Sequence, residues 1–283
     1  MALLPTTESV RALDGFFHFH DALTMVTPVA TAPPPLFRHF DLATNTWEEL
    51  ERKRREVERS LVPESAGTAP TRQVKIVYFV RHAEGYHNVA ERELGTERWE
   101  AVEAKQERFL DADLTPFGIS DTESKGPPAL SAEAQRGMPP IERVVVSPLS
   151  RAIQTAQHFF SPEQAPRPFV VMEACRETTG VHTCDKRRPV SDIRAKFPDL
   201  DFSRMRDEED KLWSPTHRET DDEHRVRARA FLAQLFREIP ERYVAVVSHS
   251  GFMSAVWSLF HPDNPFKAAN CEVVPIALEG PAQ

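Results

Sequence analysis

This 283-residue chain is poor in cysteine and glycine, has no excess of positive charge, and contains no long apolar run. Its three cysteines, Cys175, Cys184 and Cys271, cannot all pair with one another and do not fall at zinc-ligand spacings. A disulfide-stapled scaffold and a zinc finger are therefore excluded, and reduced thiols of a cytosolic protein are expected. No stretch is long and apolar enough to span a bilayer. The first residues lack the basic start and apolar core of a signal peptide, carry Glu8 and Asp14 early, and are neither Arg-rich nor Ser-rich. The expectation is a cytoplasmic protein with no membrane partner. A net charge of −8 argues against nucleic acid as a partner, while leaving room for a local basic pocket.

What is present suits a globular enzyme. Hydrophobic residues make up 40% and charged residues 28%, enough for a substantial core in one large domain or two small ones. Residues 1–71 differ in character from the rest. Short apolar runs such as Phe16-Phe17-His18-Phe19 and the cluster Pro33-Pro34-Pro35 read as an irregular extension wrapping the main domain. Thr46-Trp47-Glu48-Glu49 resembles a capping box opening a charged helix to about Leu61, with Trp47, Leu50, Val57 and Leu61 on its docking face. Pro63 to Thr71 is a linker into the main domain, residues 72–283.

Within that domain, Val74–Val80 is a buried strand that delivers Arg81 and His82 to its carboxyl end, where open α/β sheets build their sites. A guanidinium beside an imidazole suits attack on a phosphoryl group, because the Arg binds the anion and biases the His toward its neutral form. Leu114-Thr115-Pro116-Phe117-Gly118 is a helix entry with Thr115 as cap and Pro116 at the first position. Ile141 to Ala156 is a strand running into a helix, with Arg151 near the helix N-terminus, where its forked donors join the free N–H groups in binding an anion. Tyr243–Phe252 is another strand opening into a helix through Ser248-His249-Ser250-Gly251. The nucleophile elbow of the α/β-hydrolases needs Gly two residues either side of its Ser, and Ser248 and Phe252 stand there instead. Val89–Leu110 reads as an inserted helix over the pocket. Helices are also expected at Ser191–Lys196 and Asp221–Arg237, and Cys271–Leu278 is expected as a final edge strand.

Taken together, Arg81-His82-Ala83-Glu84 with Asn88, the Ser147-Pro148-Leu149-Ser150-Arg151-Ala152 element, Arg176-Glu177 with Gly180, and Ser248-His249-Ser250-Gly251 resemble the motifs of the histidine phosphatase superfamily, in its phosphoglycerate mutase-like branch. Val181 to Arg188 resembles a fungal and plant mutase-like subgroup. Ala83 in place of Gly and the extra Ser250 depart from the family pattern. The resemblance covers about residues 74–278. It implies a three-layer α/β/α sandwich with a mostly parallel central sheet, capped by helical insertions. It implies His82 as the phosphorylated nucleophile, Glu177 as general acid/base, and Arg81, Arg151 and His249 clamping the phosphoryl oxygens. Asn88, Ser250, Tyr86, His182 and Arg188 are expected to bind phosphate or substrate, with no metal and no cofactor.

The expected activity is metal-independent hydrolysis of a small phosphorylated metabolite. A phosphoglycerate-type mutase is an alternative, for which Lys186-Arg187-Arg188 could hold a second anion; a phosphate-binding pseudo-enzyme is another. A metal site drawing on His18, His20 and His82 or His87 is a weaker alternative.

Overall fold

The computed structural model describes residues 10–20, 33–61 and 72–282. The first two of these stretches hold β1 (Arg11–Ala12), β2 (Phe17–Phe19), β3 (Phe40–Leu42) and α1 (Trp47–Ser60). The third begins with β4 (Arg72–Arg81), α2 (Tyr86–Leu94), α3 (Thr96–Ala101), α4 (Pro116–Gln135), β5 (Arg143–Val146) and α5 (Ser150–Phe159). It continues through β6 (Phe169–Val171), α6 (Val190–Lys196), β7 (Leu200–Asp201), α7 (Asp221–Glu238), β8 (Tyr243–Ser248), α8 (Ser250–Ser258) and β9 (Val273–Pro281). The expected linker Pro63–Thr71 lies outside the described residues.

The main sheet has the order β1-β9-β4-β8-β5-β6-β7. From β4 to β7 all neighbours are parallel, while β9 and β1 join antiparallel at one side. Residues 74–80 of β4 are all buried, as a strand covered on both faces requires. Its side chains alternate between two cores. Ile76, Tyr78 and Val80 pack with Ala129 and Leu130 of α4 and with Ala152, Ile153, Ala156 and Phe159 of α5. Val77 and Phe79 pack with Phe231, Leu232, Leu235 and Phe236 of α7 and with Phe252 and Val256 of α8. These are the three layers of an α/β/α sandwich. Parallel pairing sets the functional end: Arg81 lies level with Ser248, and Val146 with Val247. The residues just past all three strands therefore meet at one edge.

Three local expectations differ from the structure. The segment Val89–Leu110 is not one helix: it breaks at Gly95, whose φ of +82° is left-handed, and continues as α3 and two short 3₁₀ turns. Trp99, Ala104, Phe109 and Ala112 gather there around Cys184 of the later insertion, giving the cap its own small core. The last strand is not an edge strand, because Arg11 and Ala12 pair with Glu279 and Leu278. At the start of α1, Thr46 accepts from the Glu49 N–H, but Glu49 turns back to Asn45 instead of Thr46, so only half of the capping box forms.

Phe16, Leu36, Trp47 and Leu50 lie in the same apolar cluster as the β4 and β5 side chains. Trp47 is 1% exposed, and its indole N–H donates to Glu133 Oε2 at 2.8 Å. Trp47→Ala removes a large buried ring and leaves Glu133 Oε2 without its indole donor, with Arg136 still on Oε1. Unfolding free energy in urea should fall by about 3–5 kcal/mol. A loss below about 1 kcal/mol would show that the extension does not brace the sheet.

Candidate active site

His82 follows β4 directly and is 1% exposed. Its backbone N–H donates to Ser248 O at 2.9 Å, and Asn270 Nδ2 donates to its carbonyl at 2.8 Å. The ring is fixed at both nitrogens. Nδ1 lies 2.6 Å from Ala83 O, which can only accept, so the hydrogen-bond network assigns the proton to Nδ1. Nε2 then carries the lone pair and accepts from Arg151 Nε at 3.3 Å. Burial, and after it the Arg151 charge, holds His82 well below the ordinary imidazole value. A neutral imidazole with an exposed lone pair is a nucleophile.

Arg151 enters from the first turn of α5 and is fully buried. Nη1 donates to Cys184 O at 2.5 Å and Nη2 to Asp185 Oδ1 at 2.9 Å, so two of its three nitrogens are anchored and Nε is aimed at His82. Asp185 also accepts from Arg218 Nη1 at 2.8 Å. Burial alone would raise the Asp185 carboxyl; Arg218 and Arg151 outweigh it and hold it down to about 2. Arg81 donates Nη1 to Ala268 O at 2.8 Å. Burial draws its guanidinium below the ordinary value, and the Glu177 charge works against that shift.

The His249 ring lies 5.0 Å from the His82 ring, centroid to centroid. Its Nε2 is 2.8 Å from Ser147 Oγ, which itself accepts from the Leu149 N–H at 3.4 Å. The Ser147 hydroxyl proton is then free to go to Nε2, leaving Nδ1–H as a donor. Glu177 accepts from two backbone donors, the Thr178 N–H at 2.9 Å and the Gly251 N–H at 3.2 Å, the second at the N-terminus of α8. A Cβ on Gly251 would stand 2.1 Å from Glu177 Oε1, so only glycine admits the carboxylate there. Arg176 is not its partner; that side chain pairs with Glu173 and Asp210.

Arg81 Nε, His249 Nδ1 and His87 Nδ1 are buried with no hydrogen-bond partner. A buried polar group left unmade costs about 1–3 kcal/mol, and orphans beside a lone pair mark a place that awaits a polar ligand. With Arg151 they suit a multiply charged oxyanion.

The other expected contacts divide. Ser250 is the first residue of α8 and is buried beside His249. Asn88 Oδ1 accepts from the Gly85 N–H at 3.0 Å and so caps α2. His182 bonds Glu100 at 2.9 Å and faces Asp185 at 3.9 Å. Tyr86 is 53% exposed and, with Arg188 and Asp111, lines a neighbouring cavity of about 540 Å³ that the clamp residues do not reach. Arg187 is buried and consumed by Glu173 and by backbone carbonyls, and Lys186 sits over the Trp213 ring. Arg187 is therefore closed to an anion, while Lys186 and Arg188 are only partly buried.

His18 lies on β2 and His20 just past its end, with His20 bonded to Asp41 of the adjoining strand. Among the described residues the compact metal-capable group is His182, Cys184 and Asp185, whose carboxylate is already held by Arg151 and Arg218. Sequence reading missed three contributors. His87, read there only as a possible metal ligand, lies 5.5 Å from the His82 ring, and burial with the Arg151 charge keeps it neutral. Asp185 and Arg218 steady Arg151. The only signal for His87 was its place one residue before Asn88.

Two strand-end histidines and two arginines, with buried orphan atoms among them, form the candidate site. Residues 77–280 match the histidine phosphatase superfamily (branch 1), and the chain belongs to that superfamily. It is 34% identical over 242 residues to "Phosphoglycerate mutase-like protein 1" of Arabidopsis thaliana, covering 73% of this chain and 82% of that protein. It is 33% identical over 226 residues to "Phosphoglycerate mutase-like protein" of the same plant, covering 71% and 80%. The match to "Probable phosphoglycerate mutase PMU1" of Saccharomyces cerevisiae is 28% over 301 residues and covers 96% and 97%. The family supports phosphatase or mutase chemistry. Among the described residues, no helix is long and apolar enough to cross a membrane.

Asp185 provides a test of the clamp's assembly. Its value of about 2 lies below the ordinary 3.8, so its contribution to stability is present above pH 3.8 and is lost as pH falls through 2. Asp185→Asn leaves two guanidinium groups short of their carboxylate and should cost about 3–5 kcal/mol at pH 7. In urea titrations the gap from wild type should shrink as pH falls from 4 toward 2; a pH-independent gap would contradict the assignment.

Proposed function

We propose that the protein is a metal-independent phosphatase acting on a small phosphorylated metabolite through a phosphohistidine at His82. The observation that carries this is the His82 ring: Nδ1–H is held on Ala83 O, and the Nε2 lone pair faces Arg151 Nε at 3.3 Å. On substrate binding Arg151 Nε passes from that lone pair to a phosphoryl oxygen. Arg81 Nε and His249 Nδ1–H take the oxygens beside it, with His87 next to them. Nε2 then attacks phosphorus, the P–O bond to the alcohol breaks, and Glu177 gives its proton to the departing oxygen. The positive imidazole of the intermediate keeps its Nδ1–H on Ala83 O. Water next attacks phosphorus, Glu177 takes its proton, and the N–P bond breaks to return neutral His82 and phosphate. The clustered cations meet the transition-state charge, which is where most of the acceleration in phosphoryl transfer arises.

Hydrolysis is favoured over a mutase cycle because Arg187 is spent on structure, which leaves the basic run a poor second anion site. A cytoplasmic location is part of the proposal, supported by three free, buried thiols.

Phosphate release from a panel of phosphomonoesters, measured with EDTA present, should vanish in His82→Ala. In Glu177→Gln, kcat should fall about 10²–10⁴-fold. Retention of activity in His82→Ala, or faster conversion of 3- to 2-phosphoglycerate than phosphate release, would overturn the proposal. Gly251→Ala should reduce kcat at least tenfold while leaving inorganic phosphate affinity within a factor of three, since its Cβ displaces the Glu177 carboxylate; unaltered turnover would contradict that placement.

A further inference from the structure

A second cavity, of about 410 Å³, opens between the start of α7, the length of α8 and the turn after it. Thr178 and Gly251 line it, and these are the residues whose N–H groups hold the Glu177 carboxylate. Its far wall is formed by Trp257, His261 and Phe266. Trp257 packs 4.1 Å from His261 and 5.6 Å from Phe266, centroid to centroid. The turn carrying Phe266 and Lys267 continues to Ala268, whose carbonyl positions Arg81.

His224 supplies an independent observation. It lines the cavity, is 4% exposed, and its Nε2 has no partner. Its Nδ1 lies 3.4 Å from Thr178 Oγ1, which lies 3.4 Å from Glu177 Oε1. With the Thr178 hydroxyl proton on the carboxylate, Nδ1–H donates to Thr178 Oγ1 and Nε2 is left as an acceptor. Burial, and after it the Arg227 charge, pulls His224 down to about 4, so the ring is neutral at physiological pH.

Resting on the phosphatase reading, we propose that this cavity is the leaving-group pocket and that His224 is a specificity-determining residue. A general acid touches the departing oxygen, and the Thr178 and Gly251 that hold the Glu177 carboxylate line this space, so an alcohol beginning at Glu177 has room to extend into it. That space is of the size that holds a drug-sized group, far more than a three-carbon alcohol would fill. Aromatic side chains on one wall and a buried acceptor on the other select a ring-bearing alcohol with a hydroxyl or N–H donor.

Kinetics of the full chain on adenosine 5′-monophosphate and on glycerol 3-phosphate test this. The wild type should favour the ring ester at least tenfold in kcat/KM. Ser258→Phe, which fills the cavity from its partly exposed rim, and His224→Gln, which keeps bulk near that of the ring, should each cut that preference at least fivefold, chiefly through KM. Equal losses on both esters, or no loss in either variant, would overturn the proposal. Calorimetric binding of adenosine 5′-monophosphate in a His82→Ala background separates this pocket from the catalytic reading. If the wild type releases no phosphate but Ser258→Phe weakens that binding tenfold, the hydrolase reading falls and the pocket stands; unweakened binding removes the pocket whatever the turnover.

Discussion

The site depends on one buried guanidinium. Arg151 has no access to water, yet it is aimed at the His82 lone pair, because Asp185 and the Cys184 carbonyl hold its other nitrogens. A buried cation with one partner removed costs several kcal/mol, so the carboxylate cannot be dispensed with. Arg218 gives Asp185 its second neighbour, and the Arg218 guanidinium in turn binds the Thr178 and Gly180 carbonyls. Those carbonyls belong to the segment that carries Glu177. Arg151 and the Glu177 segment are thus braced by the same ion-pair network.

Electrostatics follows from that geometry. Burial first, and after it the Arg151 charge, holds His82, His87 and His249 all in the neutral form. Neutrality leaves His82 nucleophilic and lets His249 act as a donor of one defined proton. The positive charge at the site resides on the arginines, with orphaned buried polar atoms nearby. The cost of those orphans is borne by a rigid sheet whose strand ends cannot drift apart.

Much of this was legible in the chain. Apolar runs closing in Arg81-His82 and Ser248-His249 marked strands by their β-branched content, and a parallel sheet obliges such ends to share one edge. Arg151 was legible from its place inside the next helix. Asp185 and Arg218 were not, because an acidic residue in a charged, proline-punctuated stretch carries no periodic signal, and their importance comes only from long-range pairing. His87 had no signal beyond its place beside Asn88. The two-residue β1 was too short for any pattern, so the last strand read as an edge. Gly95 could have warned that the inserted helix would break.

The basic run at 186–188 shows how composition misleads: Arg187 looks like a solvated cation and is a structural bolt. The cavity beside α8 was equally invisible, since its walls come from residues 178 to 267 and converge only through the fold.

In the proposed cycle His82 Nε2 carries the phosphoryl group during turnover. The most direct measurement is rapid quench of the enzyme with a labelled phosphomonoester at alkaline pH, followed by peptide mass spectrometry. One phosphoryl group should appear on the peptide containing His82, stable in base, lost in acid and absent from His82→Ala. Full turnover with no phosphorylated His82, or label on another side chain, would contradict it.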